Sequence, residues 1–309
     1  METSEKKVIE EGEGVEEKPT SKKGEEPSFK KQSQEKKRQK LKVRMGKVKH
    51  KIAVISGKGG VGKSTVAVNL AAAFAERGQP ERVGVLDADL HGPSVPKIFG
   101  LSGERMKSGP PGVFPVSHPS GIKVVSIDFL LPDENAPVIW RGPLKMGAIQ
   151  QFMSDIVWGN LDFLFIDLPP GTGDEPLSVA QLLPELDGVI IVTIPSEVSQ
   201  VVVKKAVTFA RKLDMPIIGI VENMSGFVCP ECGTHTDIFQ SGGGKRIADE
   251  LDVPFLGSIP IDPKISEDSD KGLPFITEHP DSQSSQAFTE IVEEIKKFLK
   301  TKEDTKEEE

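Results

Sequence analysis

A glycine-rich loop at residues 57–65 constrains the fold of this chain more than any other feature. It reads Gly-Lys-Gly-Gly-Val-Gly-Lys-Ser-Thr and contains the pattern Gly-x4-Gly-Lys-[Ser/Thr] of a phosphate-binding loop. A short apolar run at 51–56 precedes the loop, and an Ala- and Val-rich stretch from 65 to about 76 follows it. The sequence therefore predicts a strand, a phosphate loop and a helix, in that order.

The loop predicts a nucleoside triphosphate site. Backbone N–H groups of a glycine-rich turn, together with the N-terminus of the following helix, can hold phosphate oxygens. We expect Lys63 to reach the β- and γ-phosphates and the Ser64 hydroxyl to bind Mg2+. The residues expected to hold the nucleotide are Gly57, Lys58, Gly59, Gly60, Val61, Gly62, Lys63, Ser64 and Thr65.

Strand-like and helix-like segments alternate through the middle of the chain. This rhythm predicts an α/β fold, with a mostly parallel sheet and helices on both faces. The length favours one domain at 50–300, flanked by tails at 1–49 and 301–309. The strand candidates are 51–56, 82–87, 123–127, 161–167, 188–194, 216–221 and 254–257. The helix candidates are 63–77, 144–157, 175–183, 197–213, 243–250 and 284–300.

Both tails are rich in charge. Glu, Lys, Gln, Ser and Gly dominate residues 1–49, which predicts disorder because such a segment buries little apolar surface. Residues 301–309 form a short acidic tail. Basic residues dominate from 36 to 51 and could attract nucleic acid. No aromatic residues interleave there for base stacking, so we expect a solubilising tail and no nucleic-acid partner.

Composition argues against membrane and secreted classes. No apolar run approaches 18 residues, and the charged N-terminus lacks an apolar signal core. The chain has only two cysteines, which suits a reducing compartment. The last helix candidate carries both Glu and Lys on its polar face, so we expect it to pack on its own domain rather than on a membrane. We therefore expect a cytoplasmic protein with no membrane partner.

The second lysine of the loop, Lys58, makes the chain resemble the deviant Walker A family of dimeric ATPases. Three further segments resemble the Mrp/ApbC-type iron–sulfur cluster carriers of that family, which are related to the MinD/ParA positioning ATPases. These segments are LDADLHGPS at 86–94, FIDLPPGTGDE at 165–175 and VENMSGFVCPECG at 221–233. With Trp140-Arg141-Gly142-Pro143, the resemblance spans about residues 48–300.

The resemblance implies roles for several side chains. Lys58 would reach across a homodimer to the partner's ATP, where it would act in hydrolysis together with Lys63. Asp89 would orient the attacking water, and Asp87 would support Mg2+ or its loop. Asn223 would contact the adenine ring.

Asp167 ends the apolar strand candidate at 161–167 and so has the Walker B position. From there its carboxylate can hold Mg2+ through a water ligand. The Pro-Pro-Gly-Thr-Gly run after Leu168 looks like a switch II loop, whose glycines can change conformation when the γ-phosphate leaves.

Cys229 and Cys232 form a Cys-x2-Cys knuckle, which places two sulfurs on one metal or cluster. One pair cannot complete a four-thiolate site, and the chain has no other cysteine. Two knuckles related by a two-fold axis can complete it. The resemblance implies a [4Fe-4S] cluster that bridges a homodimer, and delivery of that cluster to recipient apoproteins coupled to ATP hydrolysis.

Alternatives remain open at this point. Zinc could occupy the same four-thiolate site. His235 follows at Cys-x2-Cys-x2-His spacing and could be a ligand, although solvation is the simpler interpretation. The cysteines could form a redox dithiol, but a strand–Cys-x-x-Cys–helix context is missing. At the level of function, the alternatives are a MinD/ParA-like positioning ATPase and a zinc-bridged nucleotide switch.

Overall fold

A computed structural model of the chain describes residues 39–76, 82–89, 92–130, 153–182, 186–229 and 232–308, together with positions 35, 147, 149 and 150. The strands are β1 (Val48–Ser56), β2 (Val83–Asp87), β3 (Lys107–Gly109), β4 (Gly112–Phe114), β5 (Val116–Ser117), β6 (Lys123–Val125), β7 (Leu161–Asp167), β8 (Gly188–Thr193), β9 (Ile217–Val228), β10 (His235–Thr236) and β11 (Phe255–Ile261). The helices are α1 (Lys63–Glu76), α2 (Val95–Ile98), α3 (Asp174–Leu182), α4 (Glu197–Lys212), α5 (Gly243–Leu251), α6 (Pro263–Lys271), α7 (Phe275–Glu278) and α8 (Gln283–Glu308).

Within the described residues, nine strands form one sheet in the order β10-β9-β8-β1-β7-β2-β6-β5, with β11 also paired to β9. The pairs made by β1, β2, β7, β8 and β11 are parallel, and only β5 and β10 run antiparallel to their neighbours. The central strands are buried along their length, as in GVIIVT of β8. A parallel sheet covered on both faces requires such continuous apolar runs. The predicted α/β architecture is confirmed.

Two apolar clusters cover the two faces of the sheet. On one face α1 packs with Phe74 against Phe163 and Phe165, at ring-centroid distances of 4.5 and 5.4 Å. α8 lies on the same cluster and buries one apolar stripe, as the sequence predicts. Its buried residues are Phe288, Ile291, Val292, Ile295 and Leu299. Among the described helices, none combines the length and apolar character that crossing a membrane requires.

Described helices lie beyond the expected domain limits of 50 and 300 at both ends. Residues 39–45 are helical, and they bury Leu41 and Met45, which stand one helical turn apart in an otherwise basic stretch. At the other end, α8 continues to Glu308. Lys302 holds this extension by donating to the carbonyl of Asp187 at 2.8 Å. The boundary prediction missed these contacts because the flanking sequence is dominated by charge.

Other differences concern irregular elements. β9 continues seven residues past the expected end at 221, through the polar sequence ENMSGFV. The small β3–β4 hairpin and the short helices α6 and α7 are not predicted from the sequence. The helix candidate 144–157 falls partly outside the described residues, as does the whole of Trp140–Pro143.

Candidate functional site

The phosphate loop joins the carboxyl end of β1 to the N-terminus of α1, as predicted. Gly60 and Gly62 have φ angles of 76° and 80°, a left-handed conformation that favours glycine. A side chain at Gly62 would also collide with the amide of Asn223. The loop therefore requires glycine for both its turn and its packing.

Lys63 and Ser64 meet the carboxylate of Asp167, which is completely buried at the end of β7. The Lys63 ammonium donates to Asp167 Oδ1 at 2.5 Å, and the Ser64 hydroxyl donates to Oδ2 at 2.5 Å. Burial raises the pKa of Asp167 above its usual carboxyl value, and the Lys63 ammonium opposes that rise. The lysine and hydroxyl of the loop are thus held at the Walker B carboxylate.

Asp87 stands beside Asp167, since the two residues are register partners at the ends of β2 and β7. Its Oδ1 accepts from the backbone N–H of Asp89 at 3.1 Å, and its Oδ2 accepts from the Ser126 hydroxyl at 3.3 Å. Burial raises the pKa of Asp87 well above its usual value, and the negative charge of Asp167 adds to that rise. Asp89 is half-buried, and its Oδ1 accepts from the N–H of Gly92 at 3.3 Å.

The donor set at this edge of the sheet fits Mg2+. Asp87 and Asp167 are two buried carboxylates, and among the described residues Lys63 is the one ammonium beside them. A divalent cation would therefore relieve their mutual repulsion. The Ser64 hydroxyl supplies a third oxygen close to them. Oxygen ligands of this kind are the ones that Mg2+ prefers. The predicted metal residues Ser64, Asp87 and Asp167 are therefore brought together.

Lys58 lies at the outer part of the phosphate loop and is half-buried. Its backbone carbonyl accepts from the Ser56 hydroxyl at 2.9 Å, which fixes the start of the loop. In the part of the chain that the structure describes, its ammonium makes no ion pair. Among those residues, no acidic side chain of the same subunit neutralises the charge of Lys58.

Asn223 lies against the phosphate loop near the middle of β9 and is 7% exposed. Its amide nitrogen donates to the carbonyl of Val61 at 2.9 Å. The next residue, Met224, has φ 57°, an uncommon left-handed conformation for a side chain of this size. The terminal methyl of Met224 also lies close to Gly62. This part of β9 thus contacts the loop directly, and the expected contact of Asn223 with adenine remains a prediction.

The two cysteines occupy the tip of the hairpin formed by β9 and β10. The N–H of Cys229 donates to the carbonyl of Thr234 at 3.0 Å, and the N–H of Gly233 donates back to Cys229 at 2.9 Å. The Cys232 thiol is exposed and 3.2 Å from the Thr234 hydroxyl. That hydrogen bond lowers the pKa of Cys232 and so favours the thiolate, the form that binds metals.

His235 is the first residue of β10. It pairs in register with Val228, and its ring covers Gly226. Its Nδ1 is 3.7 Å from Asp237. Across the described residues, no three His, Cys, Asp or Glu side chains are close enough to hold one metal ion.

Glu222 connects the hairpin to the nucleotide edge of the sheet. It is fully buried, yet its carboxylate accepts from the N–H of Gly242 at 2.9 Å and from the N–H of Gly244. It also accepts from the Ser225 hydroxyl at 2.5 Å. These bonds hold the start of α5, where the chain returns from the cysteines. Sequence reasoning missed this role, although an acid in an apolar strand run is a usable signal.

Replacing Glu222 with alanine is expected to lower the free energy of unfolding by about 2–4 kcal/mol, because it leaves buried N–H groups without an acceptor. Glu222→Gln, which keeps one acceptor oxygen, should lose less. Urea denaturation measures both. Glu250→Ala removes an exposed ion pair with Lys204 and should cost about 0.5 kcal/mol or less. Equal losses in Glu222→Ala and Glu250→Ala would contradict this role for Glu222.

The fold and the site together define a P-loop NTPase. A family model described as ParA, NUBPL iron-transfer P-loop NTPase, matches residues 47–296. The chain belongs to this NUBPL iron-transfer P-loop NTPase family.

Relatives and solved structures agree with this assignment. An iron-sulfur cluster carrier protein from Methanocaldococcus jannaschii is 56% identical over 256 residues, which cover 83% of this chain and 87% of that protein. A carrier of the same description from Saccharolobus solfataricus is 52% identical over 262 residues, covering 85% and 88%. A nucleotide-binding protein from Archaeoglobus fulgidus, solved with ADP, has a TM-score of 0.69 at 43% identity and covers 77% of this chain and 92% of its own. The MinD cell division ATPase of Pyrococcus furiosus, at 23% identity and a TM-score of 0.60, shares the fold; the match covers 81% of this chain and 99% of that one.

Proposed function

We propose that this protein carries iron–sulfur clusters to recipient apoproteins, and that ATP binding and hydrolysis control the delivery. The observation that carries the proposal is the pair of cysteines that follows β9, the strand that contacts the phosphate loop. Cys229 follows β9 directly, and Asn223 of that strand bonds to Val61. Relatives above 50% identity are described as iron-sulfur cluster carrier proteins.

The nucleotide half of the proposal is supported by the residues around Asp167. Lys63 would neutralise the phosphates, and Ser64, Asp87 and Asp167 would hold Mg2+, which offsets the charge of the triphosphate. Asp89 lies at the same edge of the sheet and would orient the attacking water. Catalysis of this kind depends mainly on position and charge, so no strongly basic residue is required.

The metal half requires a second copy of the chain. Cys229 and Cys232 supply two thiolates, whereas a [4Fe-4S] cluster takes four. A homodimer with a two-fold axis between the hairpins would supply the other two. Lys58 makes no ion pair among the described residues. In the same dimer its ammonium would be available to reach the partner's ATP.

Exposed apolar side chains lie on the segments beside these two sites. Val198 and Val201 of α4 are 72% and 58% exposed, one turn or less from Val202, which abuts Gly57. Ile238 and Phe239, just after β10, are 52% and 48% exposed. Apolar surface of this kind favours burial against a partner. Its position supports a dimer face that includes both the loop and the hairpin.

Anaerobic reconstitution of the full-length protein with iron and sulfide tests the proposal. We expect a dimer with one cluster per two chains, seen as thiolate-to-iron absorbance, iron and sulfide content, and mass by light scattering. Transfer to an apo-ferredoxin should be faster with ATP than without nucleotide.

Three outcomes of this experiment would contradict the proposal. Stoichiometric zinc with no iron absorbance would replace the carrier with a zinc-bridged nucleotide switch. A monomer with a fully ligated cluster would overturn the two-hairpin arrangement. Transfer that is indifferent to ATP would remove the coupling.

A further inference from the structure

A cavity of about 680 Å³ opens beyond the C-terminal end of α2. Buried Phe99, Leu101 and Val116 form part of its wall. Phe114 and Leu273 also line it, and they remain 40% and 38% exposed. These two are large apolar side chains at an accessible position, so an occupant with an apolar group would remove them from water.

The polar lining of this cavity is mainly cationic. Among the described residues, three basic side chains and one acid line it: Arg105, Lys107, Lys271 and Glu104. The Lys271 ammonium is 3.9 Å from Glu267 and from Asp268, so its charge is partly shared. Lys107 is exposed and makes no ion pair with any residue that the structure describes. Burial lowers the pKa of His118, the remaining titratable group, so it adds little positive charge at neutral pH. The cavity therefore favours an anionic occupant.

The wall of this cavity is joined to the nucleotide site through α2. Asp87 Oδ2 accepts from the N–H of Val95, the first residue of α2, at 3.3 Å. The helix has one turn, and the N–H of Phe99 donates to the carbonyl of Val95 at 3.1 Å. Beyond it, the backbone of Gly100 lies against that of Gly272. A shift of Asp87 when Mg2+ and nucleotide bind would reach the cavity wall through a single turn of helix.

The cavity and the cysteines lie at opposite edges of the sheet. β5, whose Val116 and Ser117 line the cavity, is one edge strand of the order given above, and β10 of the cysteine hairpin is the other. With strands spaced about 4.8 Å apart, the two edges are on the order of 30 Å apart. A recipient protein bound at the cavity would therefore not cover the cysteine hairpin. The cysteines would stay accessible to the cluster-acceptor site of that recipient.

We infer that this cavity binds an acidic segment of the recipient apoproteins that carries an apolar anchor. Binding of nucleotide at the phosphate loop, beside Asp87, would change the affinity of the cavity for that segment. The inference rests on the proposed carrier function. The acidic and apolar character of the bound segment follows from the cationic lining and from the exposed Phe114 and Leu273. Such docking would raise the effective concentration of the recipient near the hairpin without occupying the thiols.

A fluorescein-labelled peptide of the sequence EELFEDE serves as the probe, and its anisotropy is measured with the full-length protein lacking a cluster. We expect saturable binding that weakens about 10-fold or more in Lys107→Glu, because the reversed charge repels the peptide. Leu273→Ala should also weaken binding. The peptide QQLFQNQ, with the same anchor and no charge, should bind much more weakly than EELFEDE.

Lys205→Glu is the matched control. Lys205 is an exposed lysine that lines a separate basic cavity of about 330 Å³ beside α4. Its reversal changes the net charge by the same amount as Lys107→Glu and should leave peptide binding within about twofold. Equal weakening in the two variants would show general charge attraction and overturn the inference. Absence of saturable binding would overturn it as well.

Two further outcomes are decisive. An affinity that is the same with ADP and with a non-hydrolysable ATP analogue would contradict coupling through α2. Tighter binding after replacing Glu10, Glu11 and Glu13 with Gln would identify the chain's own acidic segment as the occupant and overturn the assignment to recipients. Because no cluster is present in this assay, failure of peptide binding would leave the carrier function intact, and failure of cluster binding would leave this result intact.

Discussion

Lys63→Ala is expected to reduce ATP hydrolysis by about 100- to 1,000-fold and to weaken ATP binding, because the ammonium that would meet the phosphates is lost. Phosphate release and calorimetric titration with Mg-ATP measure the two effects. Cluster assembly on Cys229 and Cys232 should persist, since these thiols lie on a separate hairpin. Delivery to an apo-acceptor should nevertheless stop in this variant.

Lys58→Ala provides the contrast within the same loop. Its ammonium makes no ion pair among the described residues, so ATP binding to one chain should change little. Hydrolysis should still fall if Lys58 acts across the dimer.

Lys63→Ala also leaves Asp167 without its cation, so thermal unfolding must confirm that the variant is folded. Unchanged delivery by folded Lys63→Ala would contradict the coupling of hydrolysis to transfer.

Cys229→Ser and Cys232→Ser are each expected to reduce cluster content from about one per dimer to near zero. Each substitution removes one thiolate from both subunits and so leaves half of a four-thiolate site. ATP affinity should stay within about twofold, because neither thiol contacts the phosphate loop. Iron and sulfide analysis after anaerobic reconstitution, with calorimetry for ATP, gives both results.

His235→Ala is the matched control on the same hairpin. Its ring lies over Gly226 and its Nδ1 is 3.7 Å from Asp237, so we expect the imidazole not to be a ligand and the cluster content to be retained. Loss of the cluster in His235→Ala would instead support a ligand set that includes the imidazole. Retention of a full cluster in either cysteine variant would exclude the bridging site.

Much of the nucleotide edge could be predicted from the sequence because its determinants are local. The glycine pattern fixes the loop around Lys63, and an apolar run ending in Asp identifies both Asp87 and Asp167. Parallel strands then bring their carboxyl ends to one edge. This is why three segments far apart in the chain lie near one another in the structure.

The remaining features depend on contacts between distant residues. No local pattern indicates that Ser126 bonds to Asp87, or that Glu222 accepts from the start of α5. The extension of β9 was missed because its polar residues lower the strand signal, whereas pairing with β11 and β10 stabilises it. The helical segment at 39–45 was missed because Leu41 and Met45 are few among basic residues, and only their burial shows their role.

The left-handed backbone of Met224 sits between the loop contact and the cysteines. From Met224 to Cys229 the chain advances five residues, about 17 Å at 3.3 Å per residue. A rotation of about 5° at Met224 would then move Cys229 by about 1.5 Å, whereas metal–ligand bonds tolerate about 0.2 Å. A small change in the backbone at Met224 would therefore be enough to break the bonds between Cys229 and a cluster, with no large motion of the domain.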